Sequence, residues 1–191
     1  MNSYLEKWAE WVPANNPGWD ILTTSPMIHG LIQKLLPMGQ TFVEWGYGTG
    51  YTTIALANQK RQVVGYDPAE GLLGAAIEAR DKHLVSNSGQ VHFTHDEYFL
   101  PHVNVVYSQG LLEHFDNEGI IKLVHRMIQY TDKAVVFSVP SENYPQQDFG
   151  DERLMNIAEW EHILEPFKNQ LKQLYYYERR QHLMGVIRND R

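Results

Sequence analysis

The spacing of apolar residues along the chain changes period again and again, and each change marks an element. Tyr4, Trp8 and Trp11 recur at helical intervals until Pro13, and Ser3 with Glu6 three residues later has the form of a capping box. That pattern predicts a short amphipathic helix, followed by a turn over Asn15 to Asp20. Ser25-Pro26 opens a second helix whose buried face is Ile28, Leu31, Ile32 and Leu35, ending before Pro37. Thr41, Phe42 and Val43 then form a β-branched and aromatic run, and Ile54 to Ala57 are apolar helix formers, so this stretch reads as strand, turn, helix. Further strands are predicted at Gln62 to Tyr66, Gln90 to Thr94, Val103 to Tyr107 and Ala134 to Val139, the last ended by Pro140. Between them lie a helix burying Leu72, Leu73, Ala76 and Ile77, a turn at Ser86 to Gly89, and a helix from Asp116 carrying Ile120, Ile121, Val124 and Ile128. Asn156 and Glu159 resemble a second capping box, for a helix with Ile157, Trp160, Ile163 and Leu164 that stops at Pro166. Gln170 to Tyr177 and Gln181 to Arg188 alternate in the strand sense around Glu178-Arg179-Arg180, which predicts an antiparallel hairpin. Strand and helix alternate up to Val139, so the expected class is α/β, three layers with helices on both faces of a mostly parallel sheet.

Composition narrows this picture. A chain of 191 residues with 43% hydrophobic residues suffices for one core, so a single domain is expected, residues 1–40 forming a helical cover and 41–191 the core. No stretch approaches the about 18 consecutive apolar residues of a membrane span, and the opening MNSYLEKWAEW lacks the plan of a signal peptide, so a cytoplasmic protein without membrane contact is expected. The absence of cysteine excludes disulfides, thiolate metal sites and a cysteine nucleophile. A net charge of −7 argues against a nucleic-acid surface, which needs clustered Lys and Arg.

The chemistry concentrates in Thr41 to Ala57. Gly46, Gly48 and Gly50 alternate with Trp45, Tyr47 and Thr49 in the turn after the first strand, a ligand loop at the carboxyl end of a strand. A dinucleotide fingerprint would place a further glycine where Tyr51 stands, which disfavours a nicotinamide dehydrogenase. The pattern is instead Glu44-Trp45-Gly46-Tyr47-Gly48-Thr49-Gly50, an acid followed by G-x-G-x-G, and it resembles motif I of the class I S-adenosylmethionine (SAM) dependent methyltransferases. SAM carries an amino group, a carboxylate and a sulfonium but no phosphate, so one acid plus exposed N–H groups near a helix start would complement it.

The resemblance, over Phe42 to Arg188, implies a Rossmann-like three-layer sandwich with a seven-stranded, mostly parallel sheet closed by an antiparallel C-terminal hairpin. It implies SAM as cofactor, S-adenosylhomocysteine as product, and N-terminal helices over the cofactor cleft, where Trp8 and Trp11 are expected to pack the cover on the sheet rather than touch substrate. It makes Asp67, 17 residues beyond Gly50, the acid accepting the ribose hydroxyls, with Pro68 beside it. Asp67-Pro68-Ala69-Glu70 equally reads as a helix start, with a cap, proline at the first position and an acid in the first turn. Asp96 and Glu97 fall where relatives place an acid or amide near the adenine, though polar residues after a strand are also ordinary loop. Ser108, Gln109 and Gly110 begin a segment that resembles the family's, in which a backbone carbonyl faces the SAM amino group, so the resemblance makes them cofactor-binding, with Leu112-Glu113-His114 as the turn beneath the methyl-transfer site. Ubiquinone-biosynthesis and small-RNA methyltransferases extend that turn to a metal-binding E-x-x-E-H, but Gly110 stands at the first Glu, so no metal is expected. His114 is then either a general base or a brace for the turn. Ser141, Glu142, Asn143 and Tyr144 open the polar loop where such enzymes build substrate specificity. A small-molecule acceptor, methylated on O or N, is the expected substrate; the alternative is a catalytically silent SAM-binding subunit serving a partner.

Overall fold

The computed structural model describes residues 2–15 and 18–189. Helices α1 (Asn2–Ala14), α2 (Trp19–Thr23) and α3 (Pro26–Leu35) precede strand β1 (Thr41–Trp45). Then follow α4 (Tyr51–Ala57), β2 (Gln62–Tyr66), α5 (Leu73–His83), β3 (Val91–Thr94), β4 (Val103–Gln109), α6 (Asn117–Ile128) and β5 (Thr131–Pro140). The chain closes with α7 (Ile157–Ile163) and the hairpin β6 (Leu171–Tyr177) and β7 (His182–Arg188).

The seven strands form one sheet in the order β3-β2-β1-β4-β5-β7-β6, parallel except where β7 inserts antiparallel between β5 and β6. This is the Rossmann-like α/β sandwich with a closing hairpin that the sequence predicts. Neighbouring residues of the central strands point to opposite faces, and both faces are buried: Val43, Val106, Val135 and Ile187 join one core, while Phe42, Val105, Val136 and Val186 join the other. Gly185 makes room for Phe137 across the β5–β7 pair, since a Cβ there would sit 2.1 Å from the ring.

Local signals set the helix starts. The Ser25 hydroxyl accepts from Met27 N–H, Asp116 caps α6 by accepting from Gly119 N–H at 2.7 Å, and Asn156 with Glu159 completes a capping box at α7. Three expectations change. Pro13 lies inside the last turn of α1 rather than ending it. Part of the predicted Asn15–Asp20 turn is helix α2, whose Trp19 stacks on His83 at 4.4 Å; Asn16 and Pro17 lie outside the described residues, as do the side chains of Ser3 and Tyr4, and with them the Ser3–Glu6 capping box. Ile77 is 36% exposed, because only Leu72 and Ala76 of its helical face meet the third, smaller core. That core joins α1 to the sheet: Val12 of α1 packs with Tyr47, Ala69, Leu72 and Ala76.

Candidate functional site

Parallel strands β2, β1 and β4 all end on one edge of the sheet, and the chain order reverses between β1 and β4. Such a switch point opens a crevice beyond the strand ends. Here it is a cavity of about 610 Å³, within the range of small-ligand sites.

Glu44, in β1, is 2% exposed and lines the cavity. Its Oε2 accepts from the Tyr107 hydroxyl at 3.0 Å and from the Thr53 hydroxyl, tying β1 to β4 and to the first turn of α4. Burial pushes this carboxyl up to about 8 despite the donors.

The glycine loop differs from expectation in one respect. Its three glycine N–H groups are not exposed: Gly46 donates to Tyr66 O at 2.7 Å, Gly48 to Asp67 Oδ2 at 3.2 Å and Gly50 to Tyr47 O at 2.7 Å. The loop is folded by its own donors, and what it offers the cavity is bare backbone. Gly48 has φ +52°, and a Cβ there would meet nothing nearer than Val12 at 3.8 Å. Gly50, with φ +76°, does a different job, for a Cβ there would stand 2.7 Å from the Phe93 ring.

Asp67 is buried behind this loop. Its Oδ1 accepts from Ala69 N–H at 3.0 Å and its Oδ2 from Gly48 N–H, so it closes a turn and anchors the glycine loop together. Burial raises its carboxyl to about 6 against those two donors. The helix-start reading of Asp67-Pro68 is corrected: a 3-10 turn at Glu70–Leu72 intervenes, and α5 begins at Leu73.

Not every expected residue reaches the cavity wall, which includes Glu44, Gly46, Tyr47, Gly48, Gln109, Gly110, His114 and Tyr144. Gly50, Asp67 and Pro68 are set back from it, and Ser108 is fully buried in β4. Asp96 accepts from Tyr98 N–H, while Glu97 accepts from the Tyr130 hydroxyl at 3.1 Å and pairs with Arg126 of α6. Both acids are used by local structure, away from the cavity. Of the four residues expected at the start of the specificity loop, only Tyr144 lines the cavity. Ser141 donates to Arg180 O at 2.6 Å, Asn143 donates to the same carbonyl, and Glu142 accepts from the Tyr176 hydroxyl, all toward the β6–β7 hairpin.

Residues that sequence reasoning passed over complete the wall: Glu113, Gln146, Asp148, Glu152, and His182 from the hairpin. Trp8 and Trp11 also line it, rather than only packing the cover, stacked 5.6 Å apart with Phe149 edge-on to both. His114 stands against Trp8 at 5.1 Å between centroids, and its Nδ1 lies 2.5 Å from Asp151 Oδ1. With that proton shared with the carboxylate, Nε2 is left as the acceptor nitrogen. Among the described residues no group of three His, Cys, Asp or Glu is arranged to hold a metal ion.

Residues 25–184 match the family described as "Methyltransferase domain". The chain belongs to the methyltransferase-domain family. No curated protein matches this methyltransferase-domain chain. Solved structures share its fold. Magnesium protoporphyrin IX methyltransferase from Synechocystis PCC 6803 with bound SAM is 16% identical, with a TM-score of 0.62 over 85% of this chain and 76% of that one. The N-methyltransferase NodS from Bradyrhizobium japonicum WM9, in complex with S-adenosylhomocysteine, is 14% identical, with a TM-score of 0.63 over 99% of this chain and 98% of that one. In the methyltransferase-domain protein described here, the open backbone at Gly48, the acid at the end of β1 and the volume of the crevice fit an amino-acid-bearing nucleoside such as SAM.

Proposed function

We propose that this methyltransferase-domain protein is a cytoplasmic SAM-dependent enzyme that transfers a methyl group to oxygen or nitrogen of a small molecule. One arrangement carries the reading: a crevice at the β1–β4 switch point whose floor is the Gly46–Thr49 loop and whose far wall holds a carboxylate-oriented imidazole. Glu44, Gly46, Gly48, Gln109 and Gly110 hold the cofactor's amino-acid end, and Asp67 receives its ribose once the backbone donors on its carboxylate yield one oxygen. When bound, SAM supplies an electrophilic methyl group on a sulfonium.

The protein's own tasks are then alignment, exclusion of water and removal of one proton. Trp8, Trp11 and Phe149 roof the crevice and shed water. His114, only 5% exposed at its side chain, accepts the acceptor's proton at Nε2 while Asp151 stabilises the imidazolium that forms. The absence of Lys and Arg from the described wall supports a small molecule over RNA.

Calorimetry with SAM, S-adenosylhomocysteine and NAD, followed by labelled-methyl transfer from SAM to a metabolite extract, tests the reading. SAM and S-adenosylhomocysteine are expected to bind and NAD is not. Asp67→Ala should cost about 2–4 kcal/mol of SAM affinity by removing a charge-assisted acceptor. Unchanged affinity in that variant would place the ribose elsewhere.

A further inference from the structure

The acceptor end of the cavity is acidic and aromatic at once. Glu113, Asp148 and Glu152 all line it, and no Lys or Arg is found among its described lining residues. Glu113 is 2% exposed, and its Oε2 has no hydrogen-bond partner among the described residues. His182, 7% exposed, has a second such atom in Nδ1 on the same wall. Buried polar atoms are almost always paired, so two unpaired atoms facing one cavity indicate that a ligand completes them. The Glu152 carboxyl is held below its usual range: burial opposes its charge, but the N–H groups of Phe149, at 2.5 Å, and Gly150, at 2.9 Å, outweigh it. The Tyr144 hydroxyl donates to Asp148 at 3.1 Å. Trp8 and Trp11, stacked on each other, and Tyr144 line the same cavity.

We infer, building on the methyltransferase reading above, that the acceptor is an amine bound as a cation, its N–H donors directed at Glu113 and Asp148 and its charge flanked by the Trp8, Trp11 and Tyr144 rings. An ammonium provides only donors, which suits carboxylates left open, and it gains further from aromatic faces. A carboxylate acceptor would meet three acids with no Lys or Arg on the described wall to offset them. A neutral alcohol would satisfy one oxygen and leave the field unused. Burial pushes the Glu113 carboxyl up to about 8, with the nearby Glu152 and Asp151 adding to the shift, so Glu113 rests neutral in the ligand-free protein and an arriving ammonium draws it to its ionised form.

The test is a charge series on fixed frames. The full chain is saturated with S-adenosylhomocysteine, which has no sulfonium and so keeps cofactor charge out of the comparison. Thermal shift is read for a panel of primary amines, each with its matched alcohol and carboxylate, 2-phenylethylamine with 2-phenylethanol and phenylacetate among them; hits are titrated by calorimetry. Amines are expected to bind about tenfold tighter than their alcohols, with the carboxylates weakest. Glu113→Gln and Asp148→Asn should each shrink the amine-to-alcohol ratio to about threefold or less. A panel in which amines stabilise the protein no more than their alcohols, including one in which nothing binds, overturns the inference, as does an unchanged ratio in both variants. Failure of S-adenosylhomocysteine itself to bind would strike the methyltransferase reading instead; the same series on the unloaded chain then still decides the amine preference.

Discussion

Glu44, Glu113 and Asp67 are carboxyls that burial holds above their usual range, the first two at about 8 and the third at about 6. Folding therefore favours their neutral forms. Their contribution to stability is complete below the unfolded carboxyl pKa of about 4 and is lost as pH rises through about 6 and then about 8. The thermal midpoint of the ligand-free protein should fall by several degrees, on the order of 5 °C, from pH 5 to pH 8.5, and Glu113→Gln should flatten that slope. A midpoint that rises over this interval would contradict the assigned burial. Two glycines of one loop should separate ligand effects from fold effects. Gly48→Ala puts a methyl into open cavity space at a left-handed residue and should weaken SAM binding about tenfold or more, at a cost of about 1 kcal/mol in stability. Gly50→Ala drives a methyl into Phe93 and should lower the melting temperature while the loop's cavity face stays bare.

Between elements, His114 and Asp151 come from separate segments, the 3-10 turn after β4 and the loop before α7, and meet only through the fold. If His114 is the base, His114→Ala should slow turnover about a hundredfold with SAM affinity nearly intact. Asp151→Asn should lower turnover less, because the imidazolium that forms loses its counter-charge. Turnover unchanged in both variants would assign His114 to bracing the turn. What was legible here follows from what repeats in sequence. The caps at Ser25, Asp116 and Asn156 are local signals that the structure keeps, and the glycine loop stands in its turn after β1, though with its N–H groups bonded within the fold. The loop from Ser141 onward has no period. Which of its side chains turn inward is set by Arg180 O, drawing Ser141 and Asn143 outward, and by Glu152, whose bonds to Phe149 and Gly150 N–H fold the loop's far end back over the crevice.

At the scale of the molecule, the hairpin signal was readable because β6 and β7 alternate, but its insertion order was not, since β7 reaches β5 across a separation of about 45 residues that no local pattern encodes. That insertion brings His182 opposite Pro140 and so to the cavity. It also makes Gly185 a packing residue: Gly185→Ala should destabilise the fold by about 3 kcal/mol through collision with Phe137, measured by denaturant unfolding, with little effect if the sheet order were different. Finally, α1 lies on the turn just after Asp67, with Val12 against Ala69 and Leu72 and with Ala9 close to Gly71, while Asp67 itself is 3% exposed. If Asp67 receives the ribose as proposed above, a nucleoside cannot reach that carboxylate by diffusion alone. Capture then waits on a helix that lifts, so the observed association rate should level off at high SAM concentration, and the apparent Kd should exceed the intrinsic one by the inverse of the open fraction. Val12→Ala loosens the contact, and in stopped-flow tryptophan fluorescence it should raise the plateau; a rate that climbs linearly without limit in both proteins would mean the door already stands open.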